Sequence, residues 1–243
     1  MKTILSLLLL STVLFSCKKE AIKTQEFLSN ASNTSDAVRP CGNGRWSGTY
    51  GTPDLPYQIV TDSTFINNGI AQLTNSPWSY FYTSITLPIP KCHQVSGDSV
   101  RFTTYLKNPS DQSGSVFPFD VSLWLYGSKD TGHVQFLADL PEYTALTVGN
   151  VGVTNTTDLL HLFQDWTEVT LESKNKRLTV YINGVLVKQI VYRGLKIGAL
   201  KQIQIGFKGS GSVDWVKLYN SNTNIQIMQE DFNINGHSSV AWF

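Results

Sequence analysis

Trp166 to Asn220 reads WTEVTLESKNKRLTVYINGVLVKQIVYRGLKIGALKQIQIGFKGSGSVDWVKLYN. Val169 and Leu171 fall on one side of an extended chain and Glu168, Thr170 and Glu172 on the other. After the turn KNK, Leu178, Val180 and Ile182 again alternate with polar neighbours, the period-2 pattern of a half-buried strand. Asn183-Gly184 supplies the two left-handed residues a type I′ turn requires, so Val185 to Tyr192 is the returning strand. Gln202 to Phe207 alternates once more. Gly209-Ser210-Gly211-Ser212 then turns the chain into a last strand, Val213 to Tyr219. The stretch predicts antiparallel strands in one sheet, and an all-β domain.

Working outward, the pattern of short strands and turns continues upstream to Trp46. Tyr57 to Val60, Ile70 to Leu73, Gly132 to Leu137 and Glu142 to Val148 read as strands. Three longer segments are Trp78 to Leu87, Val100 to Lys107 and Asp120 to Tyr126. Each has an aliphatic face: Phe81, Ile85 and Leu87; Val100, Phe102, Thr104 and Leu106; Val121, Leu123 and Leu125. Those faces are the expected core of a two-sheet antiparallel β-sandwich. The opposite faces carry Trp78, Tyr80, Tyr82, Arg101, Tyr105, Asp120, Trp124 and Tyr126. If the three strands share one sheet, these residues form a platform of rings with polar groups among them. Asn108 to Pro118 is a connection beside it. Thr157 to Phe163 reads as one turn of helix, Ile225 to Phe232 as an edge strand, and Asn233 to Phe243 as a tail that packs back or frays.

The chain opens with Met1 to Cys17, MKTILSLLLLSTVLFSC, a single Lys followed by an apolar run too short to span a bilayer. Leu14-Phe15-Ser16-Cys17 resembles a bacterial lipobox, which makes residues 1–16 a signal peptide and Cys17 the lipidated first residue of the mature chain. The plain alternative is a secretory signal with a chance Cys. Cys17-Lys18-Lys19-Glu20 is similar to a degenerate form of the surface-export tag of Bacteroidota lipoproteins. The implied address is the outer membrane, at the cell surface or the periplasmic face. Each buried acyl CH₂ contributes about 0.8 kcal/mol, so several chains anchor firmly. Residues 17–40 are Ser-, Asn-, Thr- and Lys-rich and read as a flexible tether. Residues 41–243 are then one sandwich domain, a size such folds routinely occupy.

Nineteen Lys and Arg against eighteen Asp and Glu give a formal net charge of +1, which provides no field for nucleic acid. The membrane is a partner through the lipid anchor alone. Of three cysteines, Cys17 belongs to the lipid signal. Cys41 and Cys92 remain, in an oxidising compartment, either as a disulfide or as two free thiols.

The run W-x-x-V-x-L, then L-x-V-Y-I-N-G-V-L-V, then I-x-I-G-F and the closing V-D-W-V-K-L-Y-N resembles the C-terminal half of a concanavalin A-like, laminin-G-like jelly roll. The resemblance covers this part of the chain by motif and the rest by pattern. It implies fold rather than function, because such jelly rolls include lectins, glycosidases and adhesion modules. Glycans in such modules sit on a sheet face or at its rim, which points to the aromatic platform: rings to stack on sugar C–H faces, and Asp120, Arg101 and tyrosine hydroxyls to orient them. The other explanation for those rings is that Trp and Tyr suit strands and are covered by loops. Related jelly rolls often hold calcium, for which Asp214 and Asp231 are the candidates, with ordinary edge carboxylates as the alternative.

No catalytic pattern emerges. Concanavalin A-like glycosidases of the laminarinase type carry E-x-D-x-x-E or E-x-D-x-E, and at Glu168-x-Thr170-x-Glu172 the middle acid is missing. That strand matches the edge hairpin of binding modules, so its two glutamates read as a solvated face. His93, His133, His161 and His237 have no zinc spacing, and there is no Gly-x-Ser-x-Gly elbow. The expectation is a lipid-anchored, non-catalytic glycan-binding sandwich. A glycoside hydrolase using Asp120 and Glu142, and a structural or adhesion module with a protein partner, are the alternatives.

Overall fold

The structure, a computed structural model, describes residues 44, 46–49, 58–61, 69–73, 82–108, 120–140, 143–149, 151–154, 162–192, 196–208, 211–232 and 240–243. All of them belong to the unit Pro40–Phe243. Strands are numbered in chain order. The first sheet runs β1 (Ser47–Thr49), β4 (Tyr82–Pro88), β13 (Leu200–Lys208), β6 (Asp120–Gly127), β7 (Thr131–Leu140), β8 (Tyr143–Val148) and β9 (Val151–Thr154). The second runs β12 (Val185–Val191), β11 (Arg177–Ile182), β10 (Thr167–Lys174), β5 (Val100–Lys107), β14 (Gly211–Asn220), β15 (Gln226–Glu230) and β16 (Ala241–Trp242). β3 (Gly69–Leu73) pairs with the start of β14 and carries β2 (Gln58–Thr61) beyond it. Every described ladder is antiparallel, which makes the domain an all-β, two-sheet sandwich.

Alternation decides which residues enter the core. Ile85, Leu87, Val121, Leu123, Leu125, Ile203, Ile205 and Phe207 of the first sheet are fully buried. They meet Val100, Phe102, Leu106, Val169, Leu171, Val180, Val213, Val216 and Leu218 of the second. At roughly 25 cal/mol per Å² of apolar area removed from water, this continuous layer is the main stabilising term. Both tight hairpins of the second sheet turn through left-handed residues: Asn175 (φ 51°) with Lys176 (φ 59°), and Asn183 (φ 48°) with Gly184 (φ 76°). The Asn183-Gly184 pair matches the expected type I′ turn.

Several expectations are corrected. The stretch from Trp166 to Asn220 does not form one sheet: β10, β11, β12 and β14 lie in the second and β13 crosses to the first. β10 is no edge strand, since β11 and β5 flank it. β15 is likewise flanked, by β14 and by β16, so the chain end pairs back at Met228–Trp242. Of the expected helical turn, Leu162–Gln164 is a single 3-10 turn and residues 157–161 lie outside the described residues. Among the described residues no helix is long and apolar enough to cross a membrane.

Candidate functional site

The expected platform divides between the two outer faces, because β5 belongs to the second sheet while β4 and β6 belong to the first. Arg101 and Tyr105 are on one face; Trp124 and Tyr126 are on the other. Tyr82 and Asp120 are placed by backbone register opposite Lys208 on the first sheet, and their side chains are outside the description. Trp78, Tyr80, Cys17, Cys41 and Glu142 lie outside the described residues. Cys92 is disulfide-bonded.

On the first sheet the outward residues fall into rows that run across the strands. One row is Ser84, Gly206, Ser122, Gln135 and Thr147, each opposite the next on β4, β13, β6, β7 and β8. Its first three members carry at most a hydroxymethyl group. Ser84 and Ser122 are only 7% and 4% exposed, and Gly206 is buried, while neighbouring Gln204 and Trp124 stay half-exposed. These three residues are therefore the floor of a trench. Two strand spacings give it a span of roughly 10 Å.

The next row forms one wall: Thr86, Gln204, Trp124 and His133. Trp124 stacks on His133 with 4.1 Å between centroids and 18° between planes, and lies 5.9 Å from the Tyr126 ring. The Tyr126 hydroxyl donates to Gln204 Oε1 at 2.9 Å, which leaves the Gln204 NH₂ as a donor. Among the described residues, the Ser122 hydroxyl, the Gln202 amide and the Trp124 indole N–H have no hydrogen-bond partner. Burial pushes the Tyr126 hydroxyl pKa up and the His133 pKa down, so both rings stay neutral at neutral pH.

The outer face of the second sheet is built differently. A shallow depression of about 380 Å³ lies over Thr103 and Thr170, between Arg101 and Lys217 on one side and Glu168, Glu172 and Tyr181 on the other. Its floor hydroxyls bond each other at 2.9 Å. Beside it on the same face rings are stacked in a row, Tyr105 being 5.4 Å from Trp166 and 6.0 Å from Trp215. Three rings there carry a cation of the same chain: Lys107 over Trp166 at 4.8 Å, Lys217 over Trp215 at 4.5 Å and Arg101 over Tyr219 at 4.5 Å. Arg101 also donates to Asn224 Oδ1 at 2.6 Å. Burial first, and then the Glu172 charge, raises the Tyr181 pKa against a lowering by Arg101. Glu168 and Glu172 thus line a depression instead of standing as a plain solvated face, but internal cation–π contacts already occupy much of the aromatic surface here.

Sequence reasoning singled out Trp124 and Tyr126 but not the residues beside them. Gln204, Ser122 and His133 are ordinary polar positions of alternating strands, and only the register shows that they share a trench. Asp214 is buried, and Asp231 accepts both its bonds from Gln229 Nε2. Among the described residues no three His, Cys, Asp or Glu side chains gather into a metal site.

No protein-family model and no curated protein matches the sequence. Solved structures do resemble it in shape. A glycoside hydrolase family 16 endo-glucanase from Bacteroides ovatus shares 10% identity at TM-score 0.49, with 72% of this chain and 94% of that one covered. The carbohydrate recognition domain of Emp47p shares 13% at TM-score 0.48, covering 72% and 88%. A Bacillus licheniformis β-glucanase shares 10% at TM-score 0.46, covering 73% and 93%.

Proposed function

We propose that the protein is a non-catalytic glycan-binding sandwich, held at a bacterial outer membrane through lipidated Cys17, and that the trench of the first sheet is its binding site. One observation carries the reading: a strip of small residues, Ser84, Gly206 and Ser122, crosses three strands beside Trp124, and the Ser122 hydroxyl and the Trp124 indole N–H have no internal partner among the described residues. A sugar chain is a repeating array of hydroxyls and C–H faces. It needs fixed donors and acceptors along a line with aromatic surface next to them, and the trench offers that combination. Solved structures of similar shape include sugar-cleaving enzymes and a carbohydrate recognition domain; the proposal for this chain rests on the trench.

Hydrolysis by a retaining route needs two carboxylates about 5–5.5 Å apart. Binding without cleavage is the reading proposed because the chain lacks the E-x-D-x-x-E and E-x-D-x-E patterns of laminarinase-type enzymes.

The test is retention of the purified chain on gels containing different polysaccharides, with Ser122→Tyr and Gln204→Ala alongside. Retention on one polysaccharide class, lost in Ser122→Tyr and weakened in Gln204→Ala at unchanged melting temperature, supports the site. Retention unaffected by both variants removes the trench as the binding surface. For the anchor, radiolabelled palmitate should enter the expressed protein and should be absent from Cys17→Ser.

A further inference from the structure

A second space opens behind the ring wall of the trench, at the end of the sandwich. It measures about 340 Å³ and is lined on its inner side by Leu178, Ile190 and Ile197 and on its trench side by Trp124, Tyr126 and His133. The backbone explains why it is there. β8 leaves its partner at Gly149 (φ 57°), whose N–H bonds the His133 carbonyl at 2.8 Å. Just before that point on β7, Gly132 occupies an inward position opposite buried Leu125 and fills none of the space. A Cβ at Gly132 would meet Ile197 Cδ1 at 2.9 Å and Leu178 Cδ2 at 3.2 Å, so the glycine lets these side chains come close and keeps the surface apolar.

The cavity disfavours charge. Burial raises the pKa of its tyrosines Tyr126 and Tyr192, and lowers that of His133. Each of the three groups is therefore held neutral in its resting state. Asp130 also borders it, with its carboxylate accepting the Thr131 N–H at 2.8 Å. A cavity of this size, mostly aliphatic and aromatic, suits an uncharged apolar body.

We propose that this cavity receives an uncharged apolar substituent carried by the glycan in the adjoining trench, with Trp124 and His133 forming the partition between sugar and substituent. The sugar half rests on the trench reading, while the cavity can be tested without it. The chain, labelled with ¹⁵N, is titrated with phenyl and methyl β-glucosides, with the matching β-galactosides, and with free phenol. Phenol and the phenyl glycosides should shift the Gly132 and Gly149 amides, and a phenyl glycoside should bind at least about tenfold tighter than its methyl partner. Val191→Trp, at the exposed rim, should reduce that ratio to about one, and Ile190→Ser, which makes the wall polar, should reduce it as well. Unmoved Gly132 and Gly149 amides, or equal binding of phenyl and methyl glycosides, overturns the proposal. Polysaccharide retention together with unmoved amides rejects the cavity and keeps the trench; shifted amides with no polysaccharide retained do the reverse.

Discussion

Trp124 and His133 sit directly opposite one another on β6 and β7 with their rings face to face, 4.1 Å between centroids. His133 Nδ1 is buried, without a hydrogen-bond partner, and burial holds the ring's pKa below its ordinary value. A base with a folded pKa below its unfolded one binds fewer protons in the folded state. Its neutral form is therefore tolerated at full stability above the unfolded value of about 6.5. Stability is lost as pH falls from there through the lower folded pKa. The melting temperature should accordingly drop on acidification below about pH 6.5 by more in the wild type than in His133→Gln. Parallel curves for the two proteins between pH 8 and pH 5 would count against a buried neutral His133.

How far the sequence reached can be judged on these same residues. Alternation in Val100–Lys107 and Asp120–Tyr126 assigns Phe102 and Leu123 to a core correctly, because each strand buries one face, and the pattern is local. Alternation cannot show which sheet a strand joins. Tyr105 and Trp124 therefore look equivalent in sequence, yet their strands lie in different sheets, and the platform splits. The trench depends on register across β4, β13 and β6, whose members are about 80 residues apart at Ser122 and Gly206. No local pattern encodes such pairing. Asn183-Gly184 was legible because the turn's chemistry is local.

Asp98 closes the end of the sandwich. Its carboxylate accepts the N–H groups of Ile197 at 2.9 Å and Gly198 at 3.1 Å, and the Tyr192 hydroxyl at 3.2 Å. Ile197 is thereby pressed so close to Gly127 that a Cβ there would come within 1.8 Å of the Ile197 carbonyl oxygen. Removing the acceptor in Asp98→Ala leaves the Ile197 and Gly198 N–H groups without a partner, the Tyr192 hydroxyl keeping its bond with Ser173, and should cost about 2–3 kcal/mol. Asp98→Asn retains one acceptor oxygen and should cost about 1 kcal/mol. Urea midpoints at constant slope measure both, and equal stability of all three proteins would mean that the loop is held by Ile197 packing alone.

The two outer faces can be separated by charge. Glu168 and Glu172 belong to β10, across the core from the trench. Glu168→Gln and Glu172→Gln should leave polysaccharide retention within about twofold of the wild type, because neither can touch a ligand in the trench and exposed single charges contribute little at a distance. Loss of retention in either variant, with melting unchanged, would move the binding site to the depression over Thr103 and Thr170.

β12 ends the second sheet and exposes Val185, Leu186 and Val191 to 67%, 56% and 56%. An edge with this much apolar surface invites pairing with another chain. Two features oppose it. The register shifts beside Tyr181, which bends the strand, and Lys188 stands opposite core-facing Val180, so its charge lies on the inward side of the edge. A second strand laid against β12 would crowd that ammonium against apolar neighbours, at the desolvation cost of a buried charge. Lys188→Val removes the obstacle and leaves the fold's own pairing with β11 intact. The variant should elute from size-exclusion columns at an apparent mass that grows with concentration, while the wild type's stays constant. Lys188→Glu should behave as the wild type, since any inward charge serves. Elution of Lys188→Val unchanged across a hundredfold concentration range would assign the protection of this edge to the bulge alone.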